Sequence, residues 1–588
     1  MNAPYCEVDL PGLAAAFSSP VERLEAWQPD EVPALLSRAE RLALDGCWLV
    51  GFVAYEAAAA FDAALVGHEL AAGLPLAAFV AFRSSATPRP RGKFMSGVWR
   101  DDTAPTAFAA GVASIKADIA DGRYYQVNYT TRLRAPLLGD SAALFDALRS
   151  SQPGAYSVYL DFGRWQICSV SPELFFHWRP AAGGAPPRLT LRPMKGTAPR
   201  DADPDTDRQA ADSLRASAKD RAENLMIVDL LRNDASRVAE LGSVAVPALF
   251  EVEPWATVWQ MTSTVECRPR AEVGLPDLFA ALFPCGSVTG APKAEAMRAI
   301  CELEPAPRGV YCGAIGVVKP GGEACFNVGI RTVVVDGERG LAECGIGSGI
   351  VADSTIAGER EEWRIKERFL RRACPGYELF ETLLWRRGRY WLLDEHLGRL
   401  ERSSSALGFR FDREAVCAAL DGAARGFGTG RWRVRLRLAM DGTVAIDAEP
   451  VARQRGPVTC ALATRPVERA NPWLRHKTTR RDAYATLAVP DAFDTLLYNE
   501  RGEATEFTRG NLVVRLGGRL LTPPLACGLL PGTLRAALLA RGSIEAAVLT
   551  LADVAAADRL WFVNGLRGSL PVRLRRRVLH IEGRSFNM

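Results

Sequence analysis

The sequence predicts an α+β architecture in two parts, and three patterns carry that prediction. Short alternating runs follow one another without an intervening helix: PGAYSVYLDF (153–162), RWQICSVS (164–171) and ELFFHW (173–178). Such strand-to-strand neighbours are out of place in a doubly wound βαβ protein. Helical periodicity is confined to a few separated stretches. Near RACPG (372–376) a helical pattern stops at Pro375-Gly376, and a new strand–hairpin–strand–helix order begins. The expected domains are therefore 1–372 and 377–588.

The elements follow in order. The first 90 or so residues mix Ala/Leu helical stretches with apolar runs such as CWLVGFVAYE (47–56). Residues 107–121 have helical spacing, and YYQVNYTTRL (124–133) alternates as a strand. PAAGGAPPR (180–188) is a loop, and RLTLRPMKG (188–196) begins as a strand and breaks at Pro193. Residues 205–232 read as one long helical stretch. Residues 258–267 and 313–335 are strand-rich, and EREEWRIKERFLRRA (359–373) is a helix that ends at the Pro-Gly stop. Beyond it come a strand (GYELFETLLW), a hairpin (RRGR), a strand (YWLL) and a helix (EHLGRLERSSSALG).

Composition narrows the function classes. With 588 residues, 48% of them hydrophobic, the chain can bury several cores. A net charge of +4 gives no polyanion-binding field. The cluster Arg573, Arg575, Arg576 and Arg577 is expected to be a solvated strand edge, so no nucleic-acid partner is expected. The 13 cysteines have no CxxC pair or regular spacing, which argues against a zinc or disulfide framework. The start, MNAPYCEVDLPGLAAAF, lacks a signal-peptide pattern, and no uncharged apolar run is long enough to span a membrane. A cytoplasmic location is expected.

Of 72 Lys and Arg residues only eight are lysines: 93, 116, 195, 219, 293, 319, 366 and 477. Arginine stays protonated, whereas a buried lysine can lose its proton and act as a nucleophile. In KDRAENLMIVDLLRND (219–234), Asp220 and Glu223 share a helix face; in GEREEWRIKER (358–368), Glu359, Glu362 and Lys366 do the same. Each set reads either as a charged solvent face or as half of a site in which two helices share Mg²⁺. CGIGSGIVADS (344–354) reads as a tight turn or bulge, or as a glycine-rich stretch whose amides approach an anion. Ser287 and Thr289, before a helix that Pro292 could start, are placed to hydrogen-bond a carboxylate.

RPMKGT, DRAENLMIVDLLRND, GSVTGAPK, GIRT and GSGIVADS, followed by the acidic EREEW helix, together resemble the chorismate-utilising enzymes, and within them the aminodeoxychorismate synthases. The resemblance covers about residues 1–370. It implies two stacked antiparallel sheets with flanking helices, and chorismate bound beside Mg²⁺. It further implies Glu223 and Glu362 as metal ligands with Asp220 and Glu359 in support. Thr289, Arg331, Lys366 and the amides of Gly347 and Gly349 would hold the substrate carboxylates. Glu173 of SPELFF matches the family's general acid/base, and Lys195 matches the lysine that attacks ring C2, where the similar anthranilate synthases carry alanine. One departure is QMTS (260–263), where family members often read HLVS, so Gln260 replaces a histidine. No cysteine sits in a glutaminase elbow, so a separate glutamine amidotransferase subunit, or free ammonia, is expected to supply nitrogen.

In the second half, Lys477 of HKTTRRDAY, Glu506 of TEFTRGNLVV, and Gly532 with Thr533 of LLPGTLR are the parts that a pyridoxal phosphate site needs. They are a lysine, a carboxylate for the ring nitrogen and a helix start for the phosphate. Taken alone, Glu506 reads equally as a hairpin charge and PGT as a helix cap. With FETLLW, DEHLGRLERS and NGLRGSLPV in order, the set resembles the fold-type IV pyridoxal phosphate enzymes over about residues 377–575. The resemblance implies Arg399 and Thr533 at the phosphate, Lys477 as the cofactor's lysine, Glu506 at the ring nitrogen, Thr382 as a proton donor, and Asn564 and Arg567 lining the site. It also implies a possible homodimer through this half. The usual strand before FET is missing, with the joint in its place. The family holds both transaminases and aminodeoxychorismate lyases.

The expected whole is a bifunctional enzyme that makes 4-aminobenzoate, a folate precursor, from chorismate. The rivals are an anthranilate-type synthase joined to a branched-chain or D-amino acid transaminase, and a non-catalytic chorismate-binding scaffold.

Overall fold

The computed structural model describes residues 3–70, 73–152, 156–201, 203–255, 258–575, 578–581 and 584–587. Arg576 and Arg577 of the basic cluster lie outside the described residues. Contacts divide the chain into two units, with the main boundary between Cys374 and Pro375. The first unit holds residues 1–90, 99–134 and 141–374; the second holds 91–98, 135–140 and 375–588.

Two ten-stranded sheets build the first unit. One runs, from edge to edge, through Gly290–Ala291, Gln126–Gly139, Leu341–Ile350, Thr332–Asp336, Trp165–Ser171, Tyr156–Asp161, Tyr5–Leu10 and Leu13–Phe17. The other runs through Met194–Pro199, Val258–Cys267, Arg188–Arg192, Leu174–Arg179, Ala324–Val328, Ala314–Val318, Trp48–Val53, Ala77–Phe82 and Glu22–Ala26. Their ladders are antiparallel. Val8, Val158, Leu160 and Ile167 of the first sheet interlock with Val50, Phe52, Val80 and Val317 of the second in one buried cluster, so the sheets stack face to face. The outer face of the second sheet is covered by the helices Glu31–Leu44, Ala218–Ser236 and Leu275–Leu282. Ile227, Val228, Leu231 and Ala235 form the apolar stripe of the middle helix. Each large side chain on that stripe is worth ~1.5–3 kcal/mol of burial.

The single helix expected over 205–232 is two helices, Pro204–Ala216 and Ala218–Ser236. Ser217 lies between them in an extended conformation (ψ 110°), and its hydroxyl accepts the Asp220 N–H at 3.2 Å. A serine cap stops one helix and starts the next although the periodicity runs on. The terminal helix likewise divides at Glu367, into Ile356–Lys366 and Arg368–Ala373, before the Pro-Gly stop.

The second unit has a four-stranded antiparallel sheet, ordered Arg389–Trp391, Leu379–Arg386, Arg431–Leu438, Val444–Pro450. Met95 of segment 91–98 is buried in the core beneath it with Tyr377, Leu379 and Leu383, and the Tyr377 hydroxyl donates to the Ser96 carbonyl at 2.9 Å. The larger, eight-stranded sheet is mixed, with Val458–Leu462 parallel to both neighbours. A further pairing of Ala504–Phe507 with Gly510–Leu516 closes six of its strands into a ring. Among the described residues, no helix is long and apolar enough to cross a membrane.

Candidate active sites

Lys195 lies on the edge strand Met194–Pro199. Pairing with Val258–Cys267 shifts register between Met194 and Thr197, so Lys195 and Gly196 stand out of the ladder. The bulge is pinned on both sides. Asn224 Nδ2, on the capped helix, approaches the Lys195 carbonyl at 3.5 Å; Gln260 Nε2 donates to the Gly196 carbonyl at 2.8 Å; and Thr197 Oγ1 donates to Gln260 Oε1 at 3.0 Å. Gly196 has φ +91°, and a Cβ there would come within 2.9 Å of the Asp220 Cβ. Glycine is needed for both reasons.

CGIGSGIVADS is not a turn at its glycines. Gly345, Gly347 and Gly349 lie along the strand Leu341–Ile350 and alternate with larger residues, so they share one face. A Cβ on Gly347 would meet the Thr130 side chain at 2.5 Å and the Tyr129 carbonyl at 2.6 Å. One on Gly349 would overlap the Gln126 amide and sit 3.2 Å from Lys195 Nζ. The missing side chains let the neighbouring strand approach closely and leave room beside the lysine.

Glu173 and Gln126 border the same space. Both are buried, and Glu173 Oε1 and Gln126 Oε1 have no hydrogen-bond partner among the described residues. Burial pushes the Glu173 carboxyl up to about 7, against the downward pull of a Ser287 hydrogen bond and of Lys195 and Lys366. Glu173 therefore has both protonation states available near neutrality.

The paired carboxylates separate into two groups. Burial raises the Glu223 carboxyl; Lys195 and Lys219 pull it down, and Glu362 and Asp220 raise it further. Burial also pushes Glu362 up, but Lys366, whose ammonium lies 2.7 Å from it, outweighs this together with Lys195 and Lys219. Glu223, Glu362 and Lys195 are thus within electrostatic reach of one another. Glu359 faces elsewhere: it accepts from Ser348 Oγ at 2.5 Å and Ser354 Oγ at 2.7 Å. Asp220 packs against Gly196 and accepts from Ser217 Oγ. Lys366 donates to the Gly347 carbonyl at 2.8 Å. Arg331 donates to the Lys366 carbonyl, lies 5.0 Å over the Phe369 ring, and is pulled down to about 10 by burial. Thr289 is fully buried and donates to the carbonyls of Cys285 and Gly286, both at 3.2 Å. No group of three or more His, Cys, Asp or Glu side chains gathers as a metal set among the described residues.

In the second unit, Lys477 follows the short turn at Pro472–Leu474 and pairs back on the FET strand, where Phe380 N–H donates to the Lys477 carbonyl at 3.0 Å. Its ammonium lies 4.5 Å from the centre of the Phe380 ring. Burial, with Arg399 and Arg481, lowers its pKa to about 7 against Glu381 and Glu506. Glu506 lies on Ala504–Phe507. It accepts from Tyr484 OH at 2.9 Å, Leu530 N–H at 3.1 Å and Asn511 Nδ2 at 3.3 Å, and burial still pushes it up to about 8. Gly532 caps the helix Thr533–Ala540, and a Cβ on it would overlap Asn511. A Cβ on Gly565 would meet His396 Nε2 at 2.7 Å and Thr533 Oγ1 at 2.8 Å, so the Asn564 turn closes on the helix start. Asn564 holds that turn by accepting from the amides of Leu566 and Arg567, and the Arg567 guanidinium lies 5.6 Å from the Phe493 ring. Thr382 alternates with Glu381 on its strand and shares the face of Phe380.

Arg399 is engaged by a buried carboxylate. Its Nε donates to Glu381 Oε1 at 2.8 Å, its Nη2 to Oε2 at 2.5 Å, and its Nη1 to the Pro531 carbonyl at 3.1 Å. Three of its five N–H bonds are used, leaving two for another anion. His396 Nδ1 also contacts Glu381 at 2.6 Å, and its Nε2 lies 3.3 Å from Thr533 Oγ1. Burial pushes Glu381 up, yet Arg399 and His396 outweigh it and lower it to about 2. The lysine, the buried carboxyl and the glycine-lined helix start fit a pyridoxal phosphate.

Glu381, His396, Tyr484, Asn511 and Gln126 escaped sequence reading. All five lie inside quoted motifs, but a Glu on an apolar strand or a Gln on an alternating one has no local signature.

Residues 84–372 match the chorismate binding enzyme family, and residues 378–574 match the class IV amino-transferase family. The chain is 41% identical over 268 residues to aminodeoxychorismate synthase component 1 of Klebsiella aerogenes, covering 46% of this chain and 58% of that protein. It is 39% identical over 272 residues to an anthranilate synthase component 1 of Haloarcula marismortui, covering 46% and 54%. The chain thus spans little more than half the length of the curated relatives it matches. The crystal structure of anthranilate synthase component I from Streptococcus pneumoniae superposes with a TM-score of 0.53 at 24% identity, covering 64% of this chain and 92% of that one, which shows the shared fold. The chain joins a domain of the chorismate binding enzyme family to a domain of the class IV amino-transferase family.

Proposed function

We propose that the first domain aminates chorismate at C4 and that the second converts the product into 4-aminobenzoate and pyruvate. The observation that carries the first half is the Lys195 side chain beside Gly349 and Gln126, within electrostatic reach of Glu173, whose carboxyl burial pushes up to about 7. Lys195 passes a proton to the Glu173 carboxylate, its neutral amine attacks ring C2, the ring double bonds shift, and the C4 hydroxyl leaves as water with that proton. Ammonia then adds at C4, the double bonds shift back, and the lysine departs from C2. Gln126 Oε1, buried without a partner, accepts an N–H of the incoming ammonia. Arginine at 195 could not serve, since it does not give up its proton. Lys366 and Arg331 place positive charge for the substrate carboxylates. Glu223 and Glu362 would hold Mg²⁺, which takes one or two carboxylates and completes its octahedron with water and substrate oxygens. A separate glutaminase supplies the ammonia, in keeping with the "component 1" in its relatives' names.

In the second domain, bound pyridoxal phosphate supplies an electron sink for the charge left at the substrate's C4. Lys477, with its pKa lowered to about 7, takes the C4 proton. Glu506 keeps the cofactor's ring nitrogen protonated, and Thr533 with the free N–H bonds of Arg399 binds the phosphate. The C3–O bond then breaks, pyruvate leaves, and the ring becomes aromatic. Thr382, on the same strand face as Phe380, donates a proton to the departing group.

Chorismate, ammonium and Mg²⁺ incubated with the purified chain, with and without pyridoxal phosphate, test both halves. The expected product is 4-aminobenzoate with the cofactor and aminodeoxychorismate without it. Fluorescent anthranilate would overturn the first assignment. Aminodeoxychorismate left unconverted in the presence of cofactor would overturn the second.

A further inference from the structure

We infer that Gln260 is the positioning residue for Lys195, a role that rests on the amination proposed above and that makes the nucleophile's placement independent of pH. Residue 260 is the direct cross-strand partner of Thr197, two residues beyond the lysine. Its carboxamide is used at both ends: the NH₂ donates to the Gly196 carbonyl at 2.8 Å, and the oxygen accepts from Thr197 Oγ1 at 3.0 Å. These bonds clasp the two residues that follow the nucleophile, Gly196 out of the ladder at the bulge and Thr197 where the ladder resumes. On the opposite side, Gly196 rests against Asp220, and Asn224, fixed by Ser263 Oγ at 2.6 Å, approaches the Lys195 carbonyl. The Lys195 backbone is thus gripped between a strand and a helix. Gln260 itself is buried, and its bonds run to the backbone and hydroxyl of the lysine strand, with a longer 3.4 Å contact to its own neighbour, Met261 O. It is occupied as a clasp and not free as a proton donor.

The charged groups around this clasp are Lys195 on its own strand, Asp220 and Glu223 on the helix, and Glu253, which pairs with Gln260 across the neighbouring strand and is tied to Arg192. A carboxamide does not titrate, so none of these can switch the clasp by moving a proton to it. An imidazole in its place would titrate near its ordinary value of about 6.5 and lose its acceptor nitrogen when protonated. The clasp would then open on the acid side of that value.

The test compares the full chain with Gln260→Met, which keeps length and apolar bulk, and Gln260→His, in steady-state amination of chorismate with ammonium across pH 5.5–9. A displacement of the nucleophile by about 1 Å costs on the order of 10²-fold in rate. Gln260→Met is therefore expected to lose kcat by about that factor, with the KM for chorismate changed by less than about threefold. Gln260→His is expected to retain most of the parental kcat at pH 8 and, compared with the parent at the same free ammonia, to lose an additional share of it below about pH 6.5. Thermal melting of the variants separates loss of the clasp from loss of fold. The inference is overturned if Gln260→Met keeps parental kcat, if its loss lies wholly in KM, or if Gln260→His shows no acid loss beyond the parent's. If the parent chain itself forms no aminodeoxychorismate, the reading of the first domain fails instead.

Discussion

Replacing Glu173 with Gln should make the first domain more stable and much less active. In the folded chain burial raises this carboxyl from 4.5 to about 7. Between those values the folded state holds a proton that the unfolded state has released. Stability therefore falls as pH rises through the window and levels off above about 7. A pKa unit is worth 1.36 kcal/mol, so the raised carboxyl costs up to ~3 kcal/mol at pH 8 and almost nothing at pH 4.5. Glutamine has no such dependence and can still hydrogen-bond Ser287. Thermal unfolding at pH 5 and pH 8 should show the two chains close together at the lower pH, with Glu173→Gln higher by several degrees at the upper. Loss of a positioned acid should meanwhile lower amination by about 10²–10⁴-fold. Parallel stability profiles for the two chains, or a Gln variant that still aminates at the parental rate, would refute the reasoning.

Other substitutions probe the two sites separately. Gly349→Ala places a methyl group against the Gln126 amide and 3.2 Å from Lys195 Nζ; chorismate binding and turnover should both fall, with ~1–3 kcal/mol of overpacking cost in a melt. Lys477→Ala should abolish the visible absorbance of bound pyridoxal phosphate while amination of chorismate continues in the same preparation. Glu381→Gln breaks a buried bidentate pair with Arg399 and should destabilise the second unit by about 3–5 kcal/mol, read by chemical denaturation near neutrality. Because Glu381 is lowered to about 2, its stabilisation is fully present above about pH 4.5 and lost as pH falls towards 2. Parent and variant should therefore converge in acid.

The layout of strands was legible because period-two alternation is a local property, whereas segments 91–98 and 135–140, which join the second unit, carry no local mark of it. The long helix over 205–232 was misread because its apolar spacing continues across Ser217, and only the capped backbone reveals the break. The glycines of CGIGSGIVADS marked a place where backbone must come close, but composition could not tell a turn from a strand. In fact they belong to a strand whose missing side chains make room for Thr130, Gln126 and Lys195. Spacing grouped Glu359 with Glu362 on one helix face. The tertiary structure divides them, giving Glu359 to two serine hydroxyls and Glu362 to Lys366. Glu381 stayed hidden in its motif because a buried charge is recognised by its partners, and His396 and Arg399 come 15 and 18 residues later, in another motif. Gln260 was legible only as a departure from a pattern. Its two hydrogen bonds to the lysine strand supply the physical reason for a residue that could not act as an acid.

The central claim is that Lys195 becomes covalently joined to the ring of chorismate. The direct measurement is peptide mass mapping of the chain after incubation with chorismate and Mg²⁺ in the absence of ammonia, quenched in acid. The expected result is a peptide containing Lys195 heavier by chorismate less one water, lost on adding ammonium before the quench and absent in Lys195→Ala. An unlabelled Lys195 peptide under conditions where the same preparation goes on to form aminodeoxychorismate, or a Lys195→Ala chain that forms it at the parental rate, would contradict it.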